Sequence, residues 1–423
     1  LMETLRNASV PSALMGRGGG GLEHVDIGID GGRVAAITPH QPGPGRDLDR
    51  GLVLPAFVDI HTHLDKGHIW PRKQNPDGTW IGALNAVRTD RVGLWSAADV
   101  GRRMDFALRA AYAHGTAAIR THLDSFPPQH EISWTLFTQM RDKWRGRVEL
   151  QGVALIDAEV LLNPPMLDAV ARTAKAAGGL LGGSVAVHPR SKEAMLRLVE
   201  KAGHFGLALD LHVDETGDPG AHALEHLAEA VIETGYSGHV LAGHCCVLTV
   251  QDEATQNRTI DKVARAGLSV VSLPMCNLYL QDREPSGHVT PTRRGVTLLH
   301  EFRAAGVKVA IASDNTRDPF YAYGDLDGLE VLREGGRILH FDHPQDEAWG
   351  WARSNGADAA AIADFDYKAQ IAPGAPADLL LFRARNWTEL FARPQADRVV
   401  LRGGRPIDTT LPDYRELDDL MEA

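Results

Sequence analysis

Apolar runs of strand length alternate with helical stretches along most of this chain. The runs fall at about 52–60, 116–123, 148–156, 179–187, 207–213, 238–243, 268–273 and 307–313. Between them, apolar residues recur at three-to-four spacing over 97–113, 165–177, 192–202, 222–234, 251–266 and 296–305, the period of a helix with one buried face. Several of these stretches stop at a glycine (Gly115, Gly178, Gly235, Gly267 and Gly306), which suits the left-handed residue that closes a helix. Eight strands with intervening helices predict an α/β fold, a (β/α)8 TIM barrel, over residues 51–369.

The two ends read differently. Residues 25–37 alternate in the manner of short strands, and the same style returns in 377–382 and 397–404. We therefore expect 2–50 and 370–423 to combine into one small β-sandwich domain beside the barrel. Gly18 to Gly21 reads as a loop, because neither a following helix nor a Gly-Lys-Ser/Thr ending accompanies it. Leu1, ahead of Met2, reads as an appended residue.

At 423 residues and 43% hydrophobic content the chain can bury a large core. Its net charge of -11, from 44 basic and 55 acidic residues without long runs of either sign, argues against nucleic acid or an anionic membrane as partner. Three cysteines (Cys245, Cys246, Cys276) form no disulfide-type spacing, so a reducing cytoplasm is expected. Cys245 and Cys246 follow a strand that ends in histidine, and small buried side chains are the better reading for them than thiolate ligands. No stretch of about 18 apolar residues and no charged-then-apolar leader is seen, so neither a membrane span nor a signal segment is expected.

The ends of the strands carry the chemistry. His61-Thr62-His63 closes the first run, and alternate residues of a strand point the same way, so both imidazoles can grip one metal ion. His212 ends the fifth run, His244 the sixth and Asp314 the eighth. In a (β/α)8 barrel, functional groups stand at the carboxyl ends of the strands, so all of these face one mouth. Three imidazoles and one carboxylate (His61, His63, His212 and Asp314) would hold a divalent ion and leave room for water, whose pKa such an ion brings toward neutrality. Hydrolysis follows from that chemistry. Glu215, three residues beyond His212, is placed either to move a proton or to cap a helix. His122 and Asp124 form another alternating pair after the second strand, suited to orienting the ligands or to structural hydrogen bonds. Asp65, Lys66 and His188 also lie near strand ends, with nothing in their spacing to single them out.

These residues resemble the amidohydrolase superfamily, and within it the cytosine deaminase-like family with its triazine-hydrolysing relatives such as N-isopropylammelide amidohydrolase. The resemblance is carried by residues 55–66, by Arg120-Thr121-His122-Leu123-Asp124, by His212-Val213-Asp214-Glu215, by Gly243-His244, by 313–319 and by 277–283 with Arg293-Arg294-Gly295. It implies one divalent ion, zinc or iron, on His61, His63, His212 and Asp314. Glu215 would pass a proton from water to the ring nitrogen, while His244 and Asp314 would position the nucleophile at the amine-bearing carbon of a small nitrogen heterocycle, with release of ammonia. The alternative is hydrolysis of a cyclic amide or of an N-alkyl substituent on a triazine-like ring.

Binuclear members of the superfamily use a carboxylated lysine at the end of strand four, and the run 183–189 offers none. Asp157 stands where cytosine deaminases carry a ring-binding glutamine; an ionised carboxylate only accepts hydrogen bonds, so a substrate edge rich in N–H is expected there. Asn315 replaces a second aspartate, and Phe320 and Tyr279 are placed either to line the pocket or to pack as core or wall residues. The expected partners are a small heterocyclic substrate and further copies of the same chain in a homo-oligomer, with neither nucleic acid nor membrane.

Overall fold

The computed structural model describes residues 3–422, so Leu1 lies outside it, as do Met2 and Ala423, the first and last residues expected in the small domain. Eight parallel strands follow one another in space in chain order. They are β1 (Phe57–Thr62), β2 (Thr116–Asp124), β3 (Glu149–Leu155), β4 (Leu180–Val185), β5 (Leu209–Val213), β6 (Val240–His244), β7 (Ser269–Ser272) and β8 (Val309–Ile311). The two outer strands meet through a parallel bridge between Thr62 and Asp314, where the Asp314 N–H donates to the His61 carbonyl at 2.8 Å. That bridge brings the first and last strands together at their carboxyl ends, and the fold is a TIM barrel.

The strands read as unbroken apolar runs because helices cover the barrel and side chains fill it, so both faces are dry. Every residue of β2 is buried, Arg120, His122 and Asp124 included. Helices return the chain between strands much as expected: Ala97–His114, for example, starts on a Ser96 hydroxyl that accepts the Asp99 N–H and stops at Gly115, whose φ of 96° a side chain would resist.

Two features differ from the sequence reading. The run 52–60 is two strands, not one. Val53–Pro55 pairs antiparallel with Leu379–Leu381, and only Phe57–Thr62 enters the barrel. Both halves are fully buried, so hydropathy alone does not mark the change of sheet. The second difference is a set of helices that the apolar period did not announce, among them Trp80–Leu94, Gln129–Trp144 and Gly328–Leu339.

Away from the barrel, two four-stranded sheets are built from both chain ends. One orders Arg33–Pro39, Leu22–Asp30, Glu3–Pro11 and Arg46–Asp47; the other orders Arg405–Pro406, Val399–Arg402, Leu379–Leu381 and Val53–Pro55. Leu5, Ile27 and Val34 of the first share one apolar cluster with Val53, Leu379 and Leu401 of the second. Among the described residues, no helix is long and apolar enough to cross a membrane.

Candidate active site and metal centre

The carboxyl ends of β1, β5, β6 and β8 converge on one point. His212 Nε2 lies 3.1 Å from both His61 Nε2 and His63 Nε2. Asp314 Oδ1 is 3.1 Å from His63 Nε2 and 3.6 Å from His61 Nε2. Four ligand atoms on a tetrahedron around an ion with 2.0–2.1 Å bonds would be about 3.4 Å apart, so this spacing is that of a coordination shell. The donor chemistry agrees. Burial pushes all three imidazoles well below their ordinary pKa, which keeps them neutral, as metal ligands must be. Among the described residues both Asp314 oxygens are buried without an N–H or O–H donor of good geometry, with only the weak Cys276 thiol beside them, a costly arrangement unless a cation satisfies them. These residues fit a metal ion.

Backbone conformation helps to aim the groups. His244 and Asp314 sit at strand ends with φ of 71° and 66°, left-handed values that a side chain adopts at a cost, and that turn the chain sharply at the mouth. His244 brings its ring into the same cluster, with ligand atoms of His61, His212, His244 and Asp314 all within 4.8 Å of one another. Its Nδ1 accepts from the Asn277 amide at 3.0 Å, which leaves Nε2 to carry the proton. Burial holds the His244 pKa down at about 3, so the ring is a neutral donor.

Glu215 is buried beside them. Burial, then the charge of Asp314, pushes its pKa well above the usual carboxyl range. The Trp80 indole N–H donates to its Oε2 at 2.9 Å, and Oε1 stands 3.4 Å from His244 Nδ1. Capping, the other role open to Glu215 from spacing, falls to its neighbour: Asp214 accepts the Ala223 and Leu224 N–H groups at the start of helix Ala223–Thr234.

A cleft of about 670 Å³ opens from this centre. His63, His212, His244, Glu215, Asn315 and Phe320 line its inner end. Asn315 donates to Asp318 Oδ2 at 2.8 Å, so its amide is already partly engaged. Asp157 also lines the cleft after β3, but both of its oxygens have partners: Oδ1 accepts the Val160 N–H of its own short helix and Oδ2 meets Arg88 at 3.3 Å. Tyr279 is not among the lining residues; it packs on Tyr321 and Tyr323.

Several residues of this cleft escaped the sequence reading. Lys66, given no special role there, is almost fully buried in the wall, 3.0 Å from Asp124 Oδ1 and 5.5 Å above the Phe320 ring. Burial opposes its charge, but Asp124, Asp65 and Asp318 outweigh it and hold the ammonium above its ordinary pKa. Asp124 is shared with Arg91 at 2.7 Å. His122, read from the sequence as an orienting or structural group, lies behind the ligands outside the cleft lining, its ring tilted at 43° to that of His61 with centroids 4.2 Å apart and its Nε2 3.5 Å from Asp210. One whole wall, Trp80, Leu84, Val87, Arg88 and Arg91, comes from helix Trp80–Leu94. The available signal was the Asp77-Gly78-Thr79 turn ahead of an i, i+4, i+7 series.

The profile of the Amidohydrolase family matches residues 107–408 of this chain. The protein belongs to the amidohydrolase family. It is 51% identical to the pterin deaminase of Rhizobium rhizogenes, over 99% of this chain and 97% of that protein. The N-isopropylammelide isopropyl amidohydrolase of a Pseudomonas species is 24% identical over 90% of this chain and 93% of its own. Among solved structures, the 5-methylcytosine deaminase of Klebsiella pneumoniae bound to 5-fluorocytosine superposes with a TM-score of 0.82 at 22% identity, covering 97% of this chain and 98% of that one. This amidohydrolase is a hydrolase of carbon–nitrogen bonds other than peptide bonds.

Proposed function

We propose that this amidohydrolase is a hydrolytic deaminase of a small nitrogen heterocycle, and that the ring is a pterin. The observation that carries the substrate is the 51% identity with a pterin deaminase over nearly the whole of both chains. His61, His63, His212 and Asp314 would hold one divalent ion, zinc or iron. When bound, such an ion supplies acidification of water to near neutrality.

The rest of the chemistry falls to side chains. Water attacks the carbon bearing the exocyclic amine, the C–N bond breaks, and the ring keeps a carbonyl while ammonia leaves. Glu215, whose burial strengthens its carboxylate as a base, takes one proton from water and delivers it to the ring nitrogen, then takes the second proton from the newly attached hydroxyl and delivers it to the leaving amine, so that both water protons are accounted for and Glu215 ends as it began. The His244 Nε2–H donates toward the reacting centre and orients the incoming oxygen. Asp157, Asn315 and Phe320 would hold the ring, Phe320 through its face. In the same reading, residues 2–50 with 370–423 form a separate β-sandwich domain, the protein works in the cytoplasm, and copies of the chain assemble with one another.

The test is a panel of pterin, cytosine, an N-alkyl triazine and a cyclic amide on metal-loaded enzyme. Ammonia release from pterin well ahead of the others is expected. Amine release from the triazine, or ring opening of the amide, without deamination of pterin would replace this reading.

A further inference from the structure

The cleft is graded along its length. At the inner end, Trp80 contacts the proton-carrying Glu215. Eight residues further along the same helix, Arg88 lines the same cleft, and a rise of 1.5 Å per residue puts the two positions about 12 Å apart. That run is longer than one six-membered ring. Leu84 and Val87 line the interval on the helix side, and Leu155 and Ile156, at the end of β3 and just beyond it, line the same cleft. A flat ring system fits such an apolar slot.

The outer end carries a guanidinium with capacity to spare. Arg88 has a side chain 45% exposed, its single hydrogen bond among the described residues is the 3.3 Å contact with Asp157, and its remaining N–H groups have no protein partner there. Its neighbour Arg91 is not comparable, because it is committed to Asp124 and stacked on Phe126 at 4.3 Å. Charge along the wall also leans positive. Beyond the catalytic centre the ionisable lining groups are Lys66, Arg88 and Arg91 against Asp124 and Asp157, and Asp124 is already bridged by two of those cations. Asp157 faces Arg88 with one oxygen only, the other being spent on the Val160 N–H.

We infer that Arg88 is a substrate-reading residue: it binds an anionic substituent on the far ring of the substrate, making carboxylate-bearing pterins the preferred class. A planar guanidinium can meet a carboxylate with two parallel N–H donors, which suits it to this task better than an ammonium. The inference rests on the pterin reading above and extends it to the other end of the molecule.

Steady-state kinetics of metal-loaded enzyme on pterin and on pterin-6-carboxylate provides the test. In Arg88→Gln, the KM for the carboxylate should rise at least tenfold more than the KM for pterin, with kcat for the two substrates changing in parallel. Arg88→Glu should widen that gap and favour a pterin carrying a cationic 6-aminomethyl group. Equal effects on both substrates, or none, would overturn the assignment of Arg88. An enzyme that deaminates neither compound would instead overturn the pterin reading, so the two failures are distinguishable. Should the variants not fold, the wild type decides: preference for the carboxylate over the uncharged 6-hydroxymethyl analogue, eroded by salt, is expected, and equal KM values at low salt would refute it.

Discussion

The two sides of the cleft are made by different means. On one side, His61, His63, His212, His244 and Asp314 hang from the ends of barrel strands, locked by the parallel ladder and by the bridge that joins β1 to β8. On the other, Trp80, Leu84, Val87 and Arg88 stand on a single helix that contributes no strand to that ladder. In the proposed reading the strand side sets what reaction is possible, since a metal shell tolerates little displacement of its ligands. In the same reading the helical side sets which molecule is presented to it. A barrel can therefore keep its chemistry while the wall is exchanged, the pattern expected of a fold whose function resides in grafted sites.

The sharpest way to break this division is to remove a strand-borne ligand. His61→Ala or Asp314→Ala should lose the bound metal and at least about four orders of magnitude in kcat for every substrate, because the nucleophile itself is lost. Metal analysis alongside ammonia release checks both halves; a variant that lost its metal yet kept activity would end the argument for this centre. Glu215→Gln should come next, with roughly 10²–10⁴-fold lower kcat at normal metal content, the range of a lost general acid–base group. Substantial residual turnover in that variant would remove Glu215 from the proton path.

The same division explains how much could be read in advance. Strand ends announce themselves, since a fully buried run such as Val240-Leu241-Ala242-Gly243-His244 stops at a polar residue, and four such endings fix the direction of the mouth. The helical wall hides itself. Ile81 is 58% exposed and Val92 86%, so apolar residues occupy its solvent side while Arg88 and Arg91 point toward the cleft. The amphipathic stripe is blurred by the same arginines that line the cleft. Long-range pairing is likewise invisible locally: nothing in Trp80 forecasts a hydrogen bond to Glu215, 135 positions away. Lys66 was passed over for a related reason, since a lysine after a strand is ordinarily solvated, and only the fold reveals Asp65, Asp124 and Asp318 gathered around it.

Trp80 is where the two sides touch, and Trp80→Phe measures how tightly they are joined. Phenylalanine keeps an aromatic face against Phe320, whose ring lies 6.1 Å from the indole, but deletes the N–H that holds Glu215 Oε2. We expect kcat to fall about tenfold with KM little changed, in line with losing one hydrogen bond to a charged or reacting group. A rise in KM at constant kcat would mean that Trp80 serves only as a wall.

The smallest effect separates the stability of the wall from that of the barrel. Helix Trp80–Leu94 begins on Thr79, whose hydroxyl accepts the Gly82 N–H at 3.0 Å, so Thr79→Ala removes one cap worth about 1 kcal/mol. Spread over a chain of this size, that loss should move the melting temperature by only about 2 °C. The local consequence should be larger than the global one. Amides in the first turns of this helix should exchange faster, while those of β5 and β6 keep their protection, since elements outside a ladder open at lower free energy than the ladder itself. Faster exchange spreading into the barrel strands would instead show that wall and barrel open as one unit, and the separation of reaction from recognition drawn here would not hold.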